Sequence, residues 1–267
     1  KSPSLITALR EQTTAAQHHP DAPVFHGIPV GTQTLTDLIL ARLTQADVPV
    51  HLSCPVSSIA PDGGGWTVTT PLGAIAADEI IFATPAHPTA RLLESIAPET
   101  AGDLASVEYA SAAMVSLAVS KKSLGVPLDA SGFLVAQTDP LPTLTACSWA
   151  SAKWAHLDDP EVAILRISAG KHGDTHALDL DDSSLVEALG VDLNTTMGIT
   201  APPIESRVTR WIDALPQYRP GHPARVAAWR AGVSDEAPGI HLAGAAYDGL
   251  GLPACIRQGR QAAADIA

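Results

Sequence analysis

Aromatic residues are scarce in this 267-residue chain. They make up 4% of it against 46% hydrophobic residues, so its core must be built largely from Ala, Val and Leu. Positive charge is also short: 16 Lys and Arg face 28 Asp and Glu, for a net charge of −12. With no basic stripe anywhere, a nucleic-acid partner is disfavoured, and any anionic ligand needs local arginine or lysine. No apolar run approaches the roughly 18 residues of a membrane span, and no charged-then-apolar leader follows Lys1. The first residues lead straight into a helical pattern without an initiator Met, so a fragment or processed product is expected. The three cysteines, Cys54, Cys147 and Cys255, are odd in number and widely separated. That pattern favours reduced thiols in a cytoplasmic setting over a disulfide framework.

Several catalytic signatures are missing as well. There is no G-x-S-x-G elbow, no phosphate-binding Walker loop and no Cys/His set at zinc spacing. His172 and His176 are spaced H-x3-H with Gly173 and Asp174 between them, which reads as surface histidines on a loop. Cys255 lies near a helix start that could lower a thiol pKa. Its neighbours Leu252, Ala254 and Ile256 equally suit a packed, inert thiol. Asp179, Asp181 and Asp182 look like a solvated helix start. With no persuasive acid–base pair, any chemistry falls to a cofactor.

The pattern that is present alternates between two kinds. Residues 4–19 read as a helix, and Thr32 or Thr34 could cap another running to about Ala46. Val48–Leu52 and Val56–Ile59 look like strand material. Asp62-Gly63-Gly64-Gly65 is a hairpin turn into an alternating strand over 66–70. The apolar run 79–83 suits a strand buried on both faces, with a helix from about Thr89. Strands are then expected over 112–120, 132–137, 144–148, 163–168 and 205–212, a helix over 178–197, and an irregular Pro-rich passage over 214–238. The implied class is α/β of mixed α+β character, with a mainly antiparallel sheet inserted between αβ pieces. The expected divisions are 1–23 (helical), 24–90 and 238–267 (one split domain) and 91–237 (a second domain).

The most informative segment is the last. A short strand over 239–244 runs into a corner containing Gly244, Gly249 and Gly251, then a helix with Pro253 in its first turn, where proline is tolerated. The helix start aims free N–H groups and a positive dipole end into that corner, which suits an electron-rich ligand. Gly249-x-Gly251-x-x-Ala254 matches the loose dinucleotide fingerprint, yet only 13 residues follow Ala254. No further strand and acidic residue can follow, so a complete nucleotide site is not expected. A glycine-rich turn without any ligand is the competing reading. Upstream, Trp211 could stack on a planar ring or anchor its own loop.

Gly31-Thr32-Gln33-Thr34-Leu35, the run Asp78 to Ala86, Trp211 with Leu215-Pro216-Gln217-Tyr218 and Gly221-His222, and the run His241 to Ile256 together resemble the oxygen-dependent porphyrinogen oxidases. These are flavoproteins of the monoamine-oxidase-like fold. The first two motifs occur in other flavin amine oxidases and desaturases, whereas the PQY…GH segment and the Cys-Ile ending are more specific. The likeness runs along nearly the whole chain but matches only about the second half of a family member. The family's G-x-G-x-x-G unit for the ADP pyrophosphate is absent. The resemblance implies FAD as cofactor, with Val56 holding the adenine edge through its backbone and Trp211 near the flavin. Gly244, Ala245, Leu250, Gly251 and Leu252 would line the ring and ribityl chain. It further implies six-electron oxidation of a porphyrinogen to a porphyrin in haem biosynthesis, with three O₂ reduced to H₂O₂ and no catalytic side chain assigned. Short loops and an acidic, Lys-poor composition suggest a bacterial enzyme and favour coproporphyrinogen III over protoporphyrinogen IX. Arg166, Arg207, Arg210 and Arg230 are available as propionate partners or are simply surface charges. The competing readings are a catalytically silent module that needs the N-terminal half of its polypeptide, and a flavin oxidase for other substrates.

Overall fold

The structure is a computed structural model that describes residues 26–136, 141 and 143–266. The chain divides into two units, Lys1–His51 and Leu52–Ala267. In the first, helix α1 (Gln33–Gln45) starts after Thr32, whose side chain makes no capping bond. The helix expected over 4–19 lies outside the described residues. Residues 48–52, expected as a strand, form none.

The second unit opens with an antiparallel three-stranded sheet, β1 (Ser58–Asp62), β2 (Gly65–Thr70) and β3 (Gly73–Ala77). Gly63 and Gly64, at φ 59° and 99°, make the two-residue hairpin turn between β1 and β2. Both positions lie in the left-handed region, which is why the sequence spends two glycines there. Strand β4 (Ile80–Phe82) is followed by helices α2 (Ala86–Leu93) and α3 (Pro98–Ala105).

Next come β5 (Tyr109–Ser120), β6 (Gly132–Leu134), β7 (Leu144–Trp149), β8 (Val162–Ala169), α4 (Asp182–Met197) and β9 (Glu205–Pro216). The five strands form one antiparallel sheet in the order β6-β7-β8-β5-β9. Alternation dictates its faces: Ala113, Val115, Leu117 and Val119 of β5 are buried while Ser116 and Ala118 between them are less so. Helix α4 answers with Leu185, Leu189, Leu193 and Met197, one residue every four, all essentially without exposure. Such a stripe is the helical counterpart of the strand's period of two, and each buried Leu contributes about 2 kcal/mol of apolar transfer. Asp181 caps α4 by accepting the Ser184 N–H at 2.8 Å, and Gly198 ends it at φ 65°. The expected helix over 178–197 is therefore interrupted, because Leu180 and Asp181 are extended and separate α4 from a single turn over His176–Asp179.

The passage 214–238, expected to be irregular, holds helix α5 (His222–Glu236). Its prolines bracket the helix instead of breaking it: Pro223 occupies the first turn, where no N–H is needed, and Pro220 and Pro238 lie outside. Val226, Trp229 and Val233 recur at helical spacing and bury a face against the neighbourhood of α3. Strand β10 (Ile240–Leu242) then pairs in parallel with β4, and helix α6 (Leu252–Ile266) closes the chain. Two apolar clusters result. One joins Trp66, Phe82, Leu93, Leu104, Trp229, Leu242 and Tyr247, and the other lies between the five-stranded sheet and α4.

Asp192 interrupts the apolar stripe of α4. It is buried, and its Oδ2 accepts the N–H groups of Leu144 at 2.8 Å and Thr143 at 3.1 Å, pinning the start of β7. Asp192→Ala orphans two buried amide donors and should cost about 2–4 kcal/mol in urea unfolding. A loss below 1 kcal/mol would mean that water replaces the carboxylate.

Candidate functional site

The glycine corner expected between β10 and α6 is present and open. Gly244 (φ 126°) and Gly249 (φ 117°) take backbone conformations closed to ordinary side chains. A Cβ on Gly249 would also lie 2.8 Å from that of Ala254, so this turn admits glycine alone. Between them Ala246 and Tyr247 turn inward and are buried, while Leu250 and Leu252 point out, 50% and 57% exposed. Pro253 in the first turn of α6 has no N–H, and the Gly251 carbonyl accepts from Ala254 and Cys255. Among the described residues, the N–H groups of Leu250, Gly251 and Leu252 have no acceptor, which leaves a donor-rich, electropositive rim beside two exposed leucines.

A brace that the sequence did not reveal holds the corner in place. The Tyr218 hydroxyl donates to the Ala245 carbonyl at 2.6 Å and accepts the Gly249 N–H at 2.9 Å, so one side chain spans the loop. His222 stacks on Tyr218 with ring centroids 3.8 Å apart, and its Nε2 lies 2.8 Å from the Tyr247 carbonyl. From the helix side, buried Gln258 accepts the N–H groups of Gly244 at 3.3 Å and Asp248 at 3.2 Å. Arg230 pairs with Asp248 at 2.5 Å, though both are substantially exposed and the pair adds little. Tyr218 and His222 belong to the PQY…GH segment, so its residues buttress the backbone that the corner presents. A legible clue was Gln258, one turn from Ala262 on the buried side of α6, since a buried amide must find partners.

Of the residues expected at a flavin, Gly244, Ala245, Leu250, Gly251 and Leu252 come together in this corner. Trp211 sits on β9, 53% exposed, instead of anchoring its loop, and β9 leads directly to the Tyr218 brace. Val56 stands just before β1, an element separate from the corner, where the next residue's N–H bonds the Thr69 carbonyl at 2.9 Å. Cys255 directs its thiol toward the Gly249 carbonyl at 3.7 Å and helps close the loop. His172 lies 3.5 Å from Glu108, and the described residues contain no cluster of three or more metal-ligating side chains.

The sequence profile of the flavin-containing amine oxidoreductases matches residues 11–267. The chain belongs to that family. It is 37% identical over 235 residues to coproporphyrinogen III oxidase of Mycobacterium tuberculosis, covering 88% of this chain and 49% of the relative. A crystal structure from Exiguobacterium sp., provisionally named a protoporphyrinogen oxidase, superposes with a TM-score of 0.78 at 29% identity, over 90% of this chain and 51% of the other. Cyclohexylamine oxidase from Brevibacterium oxydans shares the fold at a TM-score of 0.66 and 17% identity, over 88% of this chain and 52% of that enzyme. The chain thus has the monoamine-oxidase-like fold with its mainly antiparallel sheet, and it spans about half the length of the relatives it matches. Among the described residues no helix is long and apolar enough to cross a membrane.

The brace gives two predictions. Tyr218→Phe keeps the ring stack but deletes both hydroxyl bonds, and should cost about 1–2 kcal/mol in thermal or urea unfolding. Burial raises the Tyr247 pKa to about 12. A phenol raised above its unfolded value near 10 contributes stability that is full below pH 10 and is lost as pH climbs toward 12. Tyr247→Phe should flatten that alkaline loss while leaving stability near neutrality almost unchanged, since the buried hydroxyl has no hydrogen-bond partner among the described residues. Parallel alkaline slopes in the two proteins would refute this.

Proposed function

We propose that this chain is the C-terminal half of an FAD-dependent oxidase that converts coproporphyrinogen III, or alternatively protoporphyrinogen IX, to its porphyrin with O₂ as acceptor. The observation that carries the reading is the open, braced glycine corner with its unpartnered N–H rim, in a chain of a flavin-containing family. The names of the relatives support the substrate class. A flavin bound here would supply hydride acceptance from the porphyrinogen and reoxidation by O₂.

The chain's own part is to hold and polarise. Gly244, Ala245, Leu250, Gly251 and Leu252 would line the ring and ribityl chain, with glycine backbone close enough to touch. The start of α6 would favour negative charge on the bound group. Trp211 would flank the ring, and the Val56 backbone would meet the adenine edge. No side chain is assigned as a general base. The division into an FAD-domain segment (24–90 and 238–267) and a substrate domain (91–237) belongs to the same proposal, as does a cytoplasmic location.

The ADP portion of FAD calls for a second half of the polypeptide. In support, the described β10–β4 sheet has only two strands, and a groove of about 810 Å³ lies along β10, lined by Val233, His241, Leu242, Arg257 and Gln258 among others. The 267-residue chain alone should then be catalytically silent and bind FAD more weakly than about 1 µM.

The flavin-loaded protein at its full natural length should lose its absorbance near 450 nm on anaerobic addition of coproporphyrinogen III. Porphyrin fluorescence should grow when air is admitted. A loaded preparation showing neither change would overturn the reading, and turnover of amines instead would move the chain to another branch of the family.

A further inference from the structure

The five-stranded sheet has two faces of unlike chemistry. One, carrying Val115 and Leu117 of β5 with Leu165 and Ile167 of β8, is sealed against α4. Directly opposed residues on neighbouring strands share a face, so the register reads out the other one. Ser148 of β7, Arg166 of β8, Ser116 of β5 and Arg207 of β9 form one row across it. Ala146, Ser168, Met114 and Thr209 form the next, and Trp211 follows beside Ala112 on the same side.

The four arginines that were candidates for an anionic ligand now separate. Arg210 points to the sealed face, donating to Asp182 at 2.5 Å and to the Leu180 carbonyl at 2.6 Å. Arg230 is paired with Asp248. Arg207 shares the open face but donates to Glu205 at 2.8 Å, which places a carboxylate beside it. Arg166 is exposed and has no carboxylate partner among the described residues. It occupies the middle strand, flanked by Ser148 and Ser116, whose hydroxyls also lack partners among those residues. In a chain of net charge −12, an uncompensated guanidinium at the centre of an open face is a local exception to the overall field. A guanidinium fork with two adjacent hydroxyl donors matches a carboxylate.

We infer that Arg166 anchors a side-chain carboxylate of the substrate, with Ser116 and Ser148 as auxiliary donors. This rests on the porphyrinogen reading above, in which the substrate is a large flat ring bearing propionates. Four residues along β9 separate Arg207 from Trp211, about 13 Å, and two strand spacings separate Arg166 from Arg207, about 10 Å. A ring whose reacting edge lies at the Trp211 end therefore carries its propionates toward the Arg166 row. Such a contact is equal in the ground and transition states, so its loss raises KM and spares kcat.

The test uses the full-length, flavin-loaded protein with wild type, Arg166→Gln and Arg166→Lys. For coproporphyrinogen III, Arg166→Gln should raise KM roughly tenfold and leave kcat within about twofold, and Arg166→Lys, which keeps the charge but not the fork, should recover only part of the loss. Coproporphyrin III, the tetracarboxylate product, should bind Arg166→Gln more weakly by a similar factor. Its tetramethyl ester should bind both proteins alike. A KM and a product affinity within twofold of wild type would overturn the assignment, as would equal losses for acid and ester, which mean a structural defect. A wild type that never oxidises the porphyrinogen sinks the functional reading on its own, and the acid-against-ester comparison then still decides whether Arg166 binds carboxylate.

Discussion

One phenol hydroxyl holds the candidate site open. Tyr218 bonds Ala245 and Gly249 from opposite sides of a loop whose glycines could otherwise adopt many conformations. Donating and accepting at once requires the neutral phenol, and burial favours that form by raising the Tyr218 pKa, against the opposing pull of the Gly249 N–H. His222 stacks against the same ring and Gln258 holds the far side of the loop, so the flexible backbone is restrained from three directions. The glycines permit close approach, and these side chains remove the disorder that glycine would otherwise bring.

The stretch of chain that carries Tyr218 and His222 runs from one apolar cluster to the other. Strand β9 leaves the five-stranded sheet, delivers Tyr218 to the corner and continues into α5, whose Trp229 is buried edge-on against both His222 and Tyr247. The position of Trp211 on the open sheet face and the position of the corner are thus set by one continuous stretch. A chain so poor in aromatics concentrates several of them at this junction, where large rigid rings fix geometry best.

Much of the secondary structure was legible because it followed a period. The alternation of β5, the paired glycines at 63–64, the Asp181 cap and the Pro253 helix start are local signals, and each element formed close to its expected place. The errors were local as well. Pro220, Pro223 and Pro238 suggested a breakdown that hid α5, although Val226, Trp229 and Val233 carried its period. Residues 48–52 are apolar enough for a strand, but apolar character without a pairing partner does not make one.

The sequence by itself determined the family, the need for a cofactor, the glycine corner and the residues lining it, since these rest on residue types at fixed spacing. The tertiary structure decided what lies far apart in sequence: that Tyr218 reaches Gly249 across 31 residues, and that Arg166, alone of the four candidate arginines, has no carboxylate partner among the described residues. The reason is physical. Hydrogen bonding, exposure and charge pairing depend on which strands become neighbours, and strand order is fixed by packing of the whole sheet against its helix.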